Sequence, residues 1–343
     1  MTSKRIAKKA GNATQLLLSL IVLACAAPLA GAEELQQRQV IQSLGRQVYE
    51  TEGFAALDVI LAKYLSSKAR TSSGLWKVGF LEDGIETTTA EENAVSEQDW
   101  KRLEEKAQRW IAANPKSPFA RINLALVVKS HAWSFRGSEY AEKVPQTAWK
   151  PFFKELARAR RILDEAKSIA DVDPAWYALA IEIAKADGRK RSEVDALFNE
   201  AMAREPDYYP VYFAMLDYLL PKWNGDPHQI EIFANQAVAR TRSVEGNSMY
   251  ARIYWGASEG QFQNHLFMSS FARWKQVDAG FKDILARYPD QWNLNHYAKF
   301  ACLAGDMKRT RELIAKIDQP IDEAWEPEGL FERCRNEAGL QSL

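Results

Sequence analysis

The residues best suited to chemistry gather in His131–Tyr140, HAWSFRGSEY, where aromatic and charged side chains surround Arg136-Gly137 at the end of an apolar stretch. Two readings are open. Arg136 can grip a carboxylate of a partner while Trp133 stacks beside it, with His131 and Tyr140 completing a pocket. Alternatively Arg136 caps the carbonyls at a helix C-terminus, a role that needs no ligand and is preferred here. Pro221-Lys222-Trp223-Asn224-Gly225 poses the same choice between a rigid turn and a site using Lys222 and Trp223. Trp255 and Trp292 complete the candidate partner-binding set.

Other motifs lack the context their chemistry needs. Gly256-Ala257-Ser258-Glu259-Gly260 matches G-x-S-x-G. A nucleophile elbow requires a strand before the serine, and a helical stretch precedes it here. His131, His228, His265 and His296 form no i,i+4 pair and have no Cys or His at ligand spacing. Asp171-x-Asp173-Pro174 lacks the further oxygen donors of a calcium loop, and Asp173 reads as a helix cap. No cofactor motif is present, and no catalytic or metal constellation emerges. A hydrolase built around His131 and Arg136 stays as one alternative, and a small-ligand or glycan binder using exposed Trp as another.

The elements that position these residues show a repeat. Val194–Pro206 (VDALFNEAMAREP) and Val277–Pro289 (VDAGFKDILARYP) begin 83 residues apart and share Val, Asp, Ala, Phe, Ala, Arg and Pro. Pro115, Pro174, Pro206 and Pro289 set the frame, at intervals of 59, 32 and 83. Leu103, Ile162, Val194 and Val277 stand twelve residues before them, Ala107, Ala166, Phe198 and Phe281 eight before, and Trp110, Ile169, Ala201 and Ile284 five before. These spacings put each set on one helical face. Each proline then opens an apolar helix: Phe119–Val128, Trp176–Ile183, Tyr208–Leu220 and Trp292–Leu303. The longest interval hides a further hairpin, Ile230–Thr241 with Met249–Ser258. The interval of 59 carries an insertion at Ser134–Pro145.

The expected fold is an all-α superhelix of irregular helical hairpins. Its concave groove is made by the first helix of each pair. Residues 33–95 contribute an N-terminal hairpin (34–50 and 54–65) and then a loop or β-like excursion near 71–95, pinned by Trp76 and Phe80. Residues 96–320 form the repeat domain, with Ser96 and Asp99 opening it as an N-cap and first-turn acid. Residues 321–343 form a tail with a capping helix near Leu330–Arg335.

The proline-framed sets, together with Cys302-Leu303-Ala304-Gly305-Asp306, resemble the tetratricopeptide (TPR) family. The first-helix Trp and Leu-Gly are out of register, and only the interval of 32 is near the 34-residue TPR period. The chain is also similar to a bacterial family of exported TPR-like proteins without an assigned activity, through Ala132–Gly137, Tyr208-Tyr209-Pro210, Pro221-Lys222-Trp223 and Trp292 to Asp306. The resemblance implies a scaffold or adaptor that binds a protein or peptide.

Compartment is read from the leader. Lys4–Lys9 is a basic n-region, Leu16–Ala24 an apolar h-region and Ala30-Gly31-Ala32 an A-x-A site, so cleavage is expected after Ala32 with export to the periplasm. An uncleaved anchor or a lipid on Cys25 is the alternative, and no other segment is long enough to span a membrane. Without Lys4, Arg5, Lys8 and Lys9, 41 basic residues face 45 acidic ones, a net charge of −4. That balance points away from nucleic acid. Cys302 and Cys334 remain, and an exported chain can join them, although Cys302 also suits a buried free thiol.

Overall fold

The computed structural model describes residues 33–89, 96–223 and 225–340. The expected leader, with its cleavage site and Cys25, lies outside the described residues.

The proline-framed faces become the packing seams. Helix α8 (Arg191–Arg204) buries Val194, Phe198 and Ala201, and α13 (Trp274–Arg287) buries Val277, Phe281 and Ile284 completely. Each fully buried Val, Ile or Phe side chain of such a seam contributes about 1.5–3 kcal/mol. Phe281 stacks on Tyr297 of α14 (Gln291–Leu303), ring centres 5.1 Å apart. The frame slips in two places: Leu103 stays half-buried beside buried Ala107 and Trp110, and a second helix turns its buried face. Along α6 (Gln146–Ala170) the buried positions are Leu163, Ala166 and Ala170, and Ile162 and Ile169 stay half-buried. The interval of 59 is absorbed mostly by length: α5 (Pro118–Arg136) and α6 are long partners, joined by a short loop with one turn of 3-10 helix at Ala141–Lys143.

Each helix from α4 (Glu97–Ala113) onward packs on its successor: α5, α6, α7 (Ala175–Ala186), α8, α9 (Tyr209–Leu219), α10 (Pro227–Glu245) and α11 (Ser248–Ala257). A π-helical turn and the four-residue α12 (Leu266–Ser269) lead to α13, α14 and α15 (Met307–Ile314). The first helices of successive pairs, α5, α7, α9 and α11, also touch one another, so they form one wall. Ser96 and Asp99 make a reciprocal capping box at the start of α4. At the far end α16 (Leu330–Glu337) is tied to α14 by a disulfide between Cys302 and Cys334.

The N-terminal hairpin, α1 (Glu33–Glu50) and α2 (Phe54–Ser66), belongs to the same apolar cluster, which runs from Ile41 to Cys334. Phe54 stacks on Trp110 at 5.6 Å, and Asp58 accepts hydrogen bonds from Trp110, Asn114 and Ser117.

The expected loop or β-like excursion holds for 71–76, where Arg70 and Trp76 form the one isolated β-bridge among the described residues. It is corrected beyond that: Lys77–Glu86 form a helix, α3, followed by a 3-10 turn, and 90–95 lie outside the described residues. Val78, Leu81 and Ile85 follow helical spacing and are buried against α1. Gly79 and Gly84 disguise the segment in sequence. Gly84, with Gly45 of α1, is needed because α1 and α3 touch backbone to backbone. A Cβ on Gly45 would stand 2.3 Å from the carbonyl oxygen of Leu81, and one on Gly84 would stand 2.1 Å from that of Gln42.

Candidate functional site

Helix α3 and the part of the wall made by α5, α7 and α9 face each other. A cavity of about 960 Å³ remains between them. A second, of about 340 Å³, continues along α9, α11 and the start of α14. Leu75, Phe213 and Asp217 line both, so the two adjoin.

The loop before α3 is fastened by charge. Glu34, fully buried in α1, accepts hydrogen bonds from Arg38, Thr71, Ser72 and Ser73. Burial works to raise the Glu34 carboxyl, but Arg38 and the hydroxyl and amide donors hold it below the usual range. The Ser73 carbonyl in turn accepts from Arg252 of α11 and Asn293 of α14. Trp76 donates to the Asp207 carbonyl, and Arg70 pairs with the Asp207 carboxylate. Helix α3 is thus anchored at its N-terminal end to the wall it faces.

The larger cavity has apolar sides and a charged end. Trp76, Phe80, Phe119, Leu126 and Phe213 supply the sides. Lys129 reaches Glu182 at 2.7 Å and Glu86 at 3.6 Å, and Lys185 pairs with Asp217. Burial works to lower Lys129, but those two carboxylates raise it above the ordinary lysine value. Glu82 and Asp83 of α3 meet a different environment. Burial pushes Glu82 well above the carboxylate range, and Asp173, Asp83 and Glu86 push it further. Asp83 keeps an exposed edge, yet enclosure by the groove walls and the Glu86 charge push it up to about 7. Asp173, fully buried at the start of α7, accepts the Ala175 N–H, as expected of a cap, and burial pushes its carboxyl up to about 7.

The candidate partner-binding residues divide into separate groups. Trp133 lines the large cavity and meets Trp223 edge to face at 6.0 Å. The Arg136 guanidinium lies 5.0 Å from the centre of the Trp133 ring and donates to the carbonyls of Gly137 and Glu139. Its donors therefore hold the turn that follows α5. His131, two residues from Trp133 and so on another face of α5, stacks on Trp100 at 4.9 Å. Tyr140 is exposed in the loop. Lys222 is exposed, and its backbone N–H donates to Gln261. Trp255 and Trp292 line the smaller cavity, with the His296 ring tilted against Trp255 at 3.9 Å and edge-on to Trp292 at 4.5 Å. His296 is buried, which keeps its imidazole well below the usual histidine pKa and neutral.

Ser258 of the G-x-S-x-G motif begins a π-helical turn directly after α11, and its hydroxyl donates to the Gln263 carbonyl. Among the described residues no group of three or more His, Cys, Asp or Glu side chains is placed to hold a metal ion. Among the same residues no helix is long and apolar enough to cross a membrane.

Sequence reasoning missed Glu82, Asp83, Lys129, Glu182 and Tyr208. A signal for the acids existed: Glu86 neighbours Glu82 at i,i+4 and Asp83 at i,i+3 once 77–86 is read as helix. Comparison of the chain with protein-family models and with curated proteins gives no match.

Proposed function

We propose that this chain is an exported scaffold or adaptor whose concave groove binds a segment of a protein or peptide partner in the cell envelope. One observation carries the reading: the two adjoining cavities on the inner wall, lined by the first helices of successive hairpins and sharing Leu75, Phe213 and Asp217. A groove with apolar sides and a few placed charges suits a polypeptide segment, whose side chains enter pockets while its backbone stays in the open channel. Export is supported by the leader pattern and by the Cys302–Cys334 bond, because such bonds persist in oxidising compartments.

The reading is tested by filling the groove. Leu126→Trp adds bulk at a half-buried wall position of the larger cavity. An envelope partner captured by the wild-type chain is expected to be lost with this variant and retained with Val172→Trp, placed at an exposed position in the turn before α7. Equal capture by both variants contradicts the proposal.

A further inference from the structure

The larger cavity has cations and anions in its walls, but they are unequally committed. Lys129 is held by Glu182 and Glu86, and Lys185 by Asp217. Both cations are therefore already neutralised by wall residues. Glu82 is not balanced in this way, since the groups acting on it are all acidic, Asp173 foremost, whereas its exposed neighbour Asp83 has Gln42 and the Arg38 charge beside it. A second feature lies behind them. The Tyr208 hydroxyl and the Asp173 Oδ2, both fully buried, find no hydrogen-bond partner in the protein. Tyr208 lines the cavity, and its hydroxyl experiences the charges of Glu82, Asp173 and Asp83. A buried polar atom without a partner forfeits the hydrogen bonds it made in water, so this end of the cavity rewards a ligand that supplies donors.

We propose that the larger cavity receives a cationic group on an apolar stem, an ammonium or guanidinium, with Glu82 as its counter-ion and the Tyr208 oxygen as an added acceptor. This rests on the reading of the groove as a binding surface and names the chemistry recognised there. An anion would meet Glu82 and Asp83 at close range. A neutral apolar group would leave the Tyr208 oxygen unpaired. An ammonium makes charge-assisted hydrogen bonds to the carboxylate, while its methylene stem lies along Trp76, Phe80 and Phe213. The cation has two possible sources, a lysine or arginine side chain of the bound polypeptide and a free diamine.

The test is a titration of the chain, purified after expression with its own leader. It uses pentane-1,5-diamine, Nα-acetyl-lysine methylamide and the norleucine counterpart of the latter. Binding is followed by tryptophan fluorescence, since Trp76, Trp110 and Trp133 line the cavity, and by calorimetry. Saturable one-to-one binding of an amine is expected. At least tenfold weaker binding is expected for the norleucine compound and for Glu82→Gln. Tyr208→Phe, which removes one oxygen, is expected to weaken binding severalfold without the charge change. A tighter lysine derivative assigns the site to a polypeptide side chain, and a tighter diamine assigns it to a free polyamine. Equal binding of the norleucine compound, undiminished binding by both variants, or no saturation of either amine by roughly 10 mM overturns the proposal. The two readings also fail separately. If Leu126→Trp abolishes partner capture while the amines do not bind, the groove reading stands and the cation site falls. If the amines bind and no partner is captured, the cation site stands and the polypeptide reading falls.

Discussion

Gly84 in α3 stands against the backbone of Gln42 in α1, so closely that a Cβ on Gly84 would lie 2.1 Å from the Gln42 carbonyl oxygen. Gly45 and Leu81 make the reciprocal approach one turn away, at 2.3 Å. These contacts set the depth at which α3 sits in the groove, and therefore the volume left for a ligand. Both obstacles are backbone, which cannot swing aside as a side chain can. Gly84→Ala is expected to destabilise the fold by about 1–3 kcal/mol, read as a lower denaturation midpoint, in spite of the better helix propensity of alanine. A neutral or stabilising result would mean that α1 and α3 are further apart than described.

The Cys302–Cys334 bond joins α14 to α16 across 32 residues of chain. Closing a loop of that length is worth about 3–4 kcal/mol if its effect is to limit the unfolded chain. Cys302→Ser with Cys334→Ser is expected to lower the unfolding free energy by that amount, and the wild-type chain should titrate as free of accessible thiols from Glu33 onward. Two reactive thiols in the exported protein would remove the bond and with it one support for export.

Asp173 gives a pH dependence with a definite sign. Its folded carboxyl is raised to about 7 by burial, above the unfolded value of about 4. Between those values the folded chain holds a proton that the unfolded chain has released. Stability from this group is thus present at low pH, falls as pH rises through the window, and is lost above about 7. Asp173→Asn keeps an oxygen for the Ala175 N–H and cannot ionise. It is expected to raise the melting temperature at pH 8 by about 3 °C or more, and to change it little at pH 5. The same increment at both values would show that Asp173 titrates normally.

Much of the repeat scaffold was legible because its signals are local. Val277, Phe281 and Ile284 lie at helical spacing before a proline, and the structure buries all three. The hairpin without a proline was recoverable from apolar periodicity alone, as α10 and α11. Leu163 and Ala170 were missed because the proline frame was transferred to a helix of 25 residues, where drift of one position changes the buried face. Helix α3 was missed for a different reason. Its identity depends on a partner distant in sequence: Gly79 and Gly84 weaken it as an isolated helix, and only the approach of α1 makes Gly84 necessary. The charged end of the cavity shares that origin. Glu82 and Asp173 are far apart in the chain, and nothing local to the cap acid or to the acid of α3 shows that the fold brings their charges together. The tryptophans were noticed as a set, but the fold sorts Trp133 and Trp223 to one cavity end and Trp255 and Trp292 to the other cavity.

The central claim is that the concave groove is the binding surface, and site-specific photo-crosslinking in the envelope tests it most directly. A photoreactive residue replaces Phe213, which lines both cavities, or Val172, which is exposed in the turn before α7. The expected result is a discrete adduct from position 213 that is lost when Leu126→Trp fills the groove, with none from position 172. Adducts from position 172 alone, or an adduct from 213 that persists in the filled groove, would contradict it.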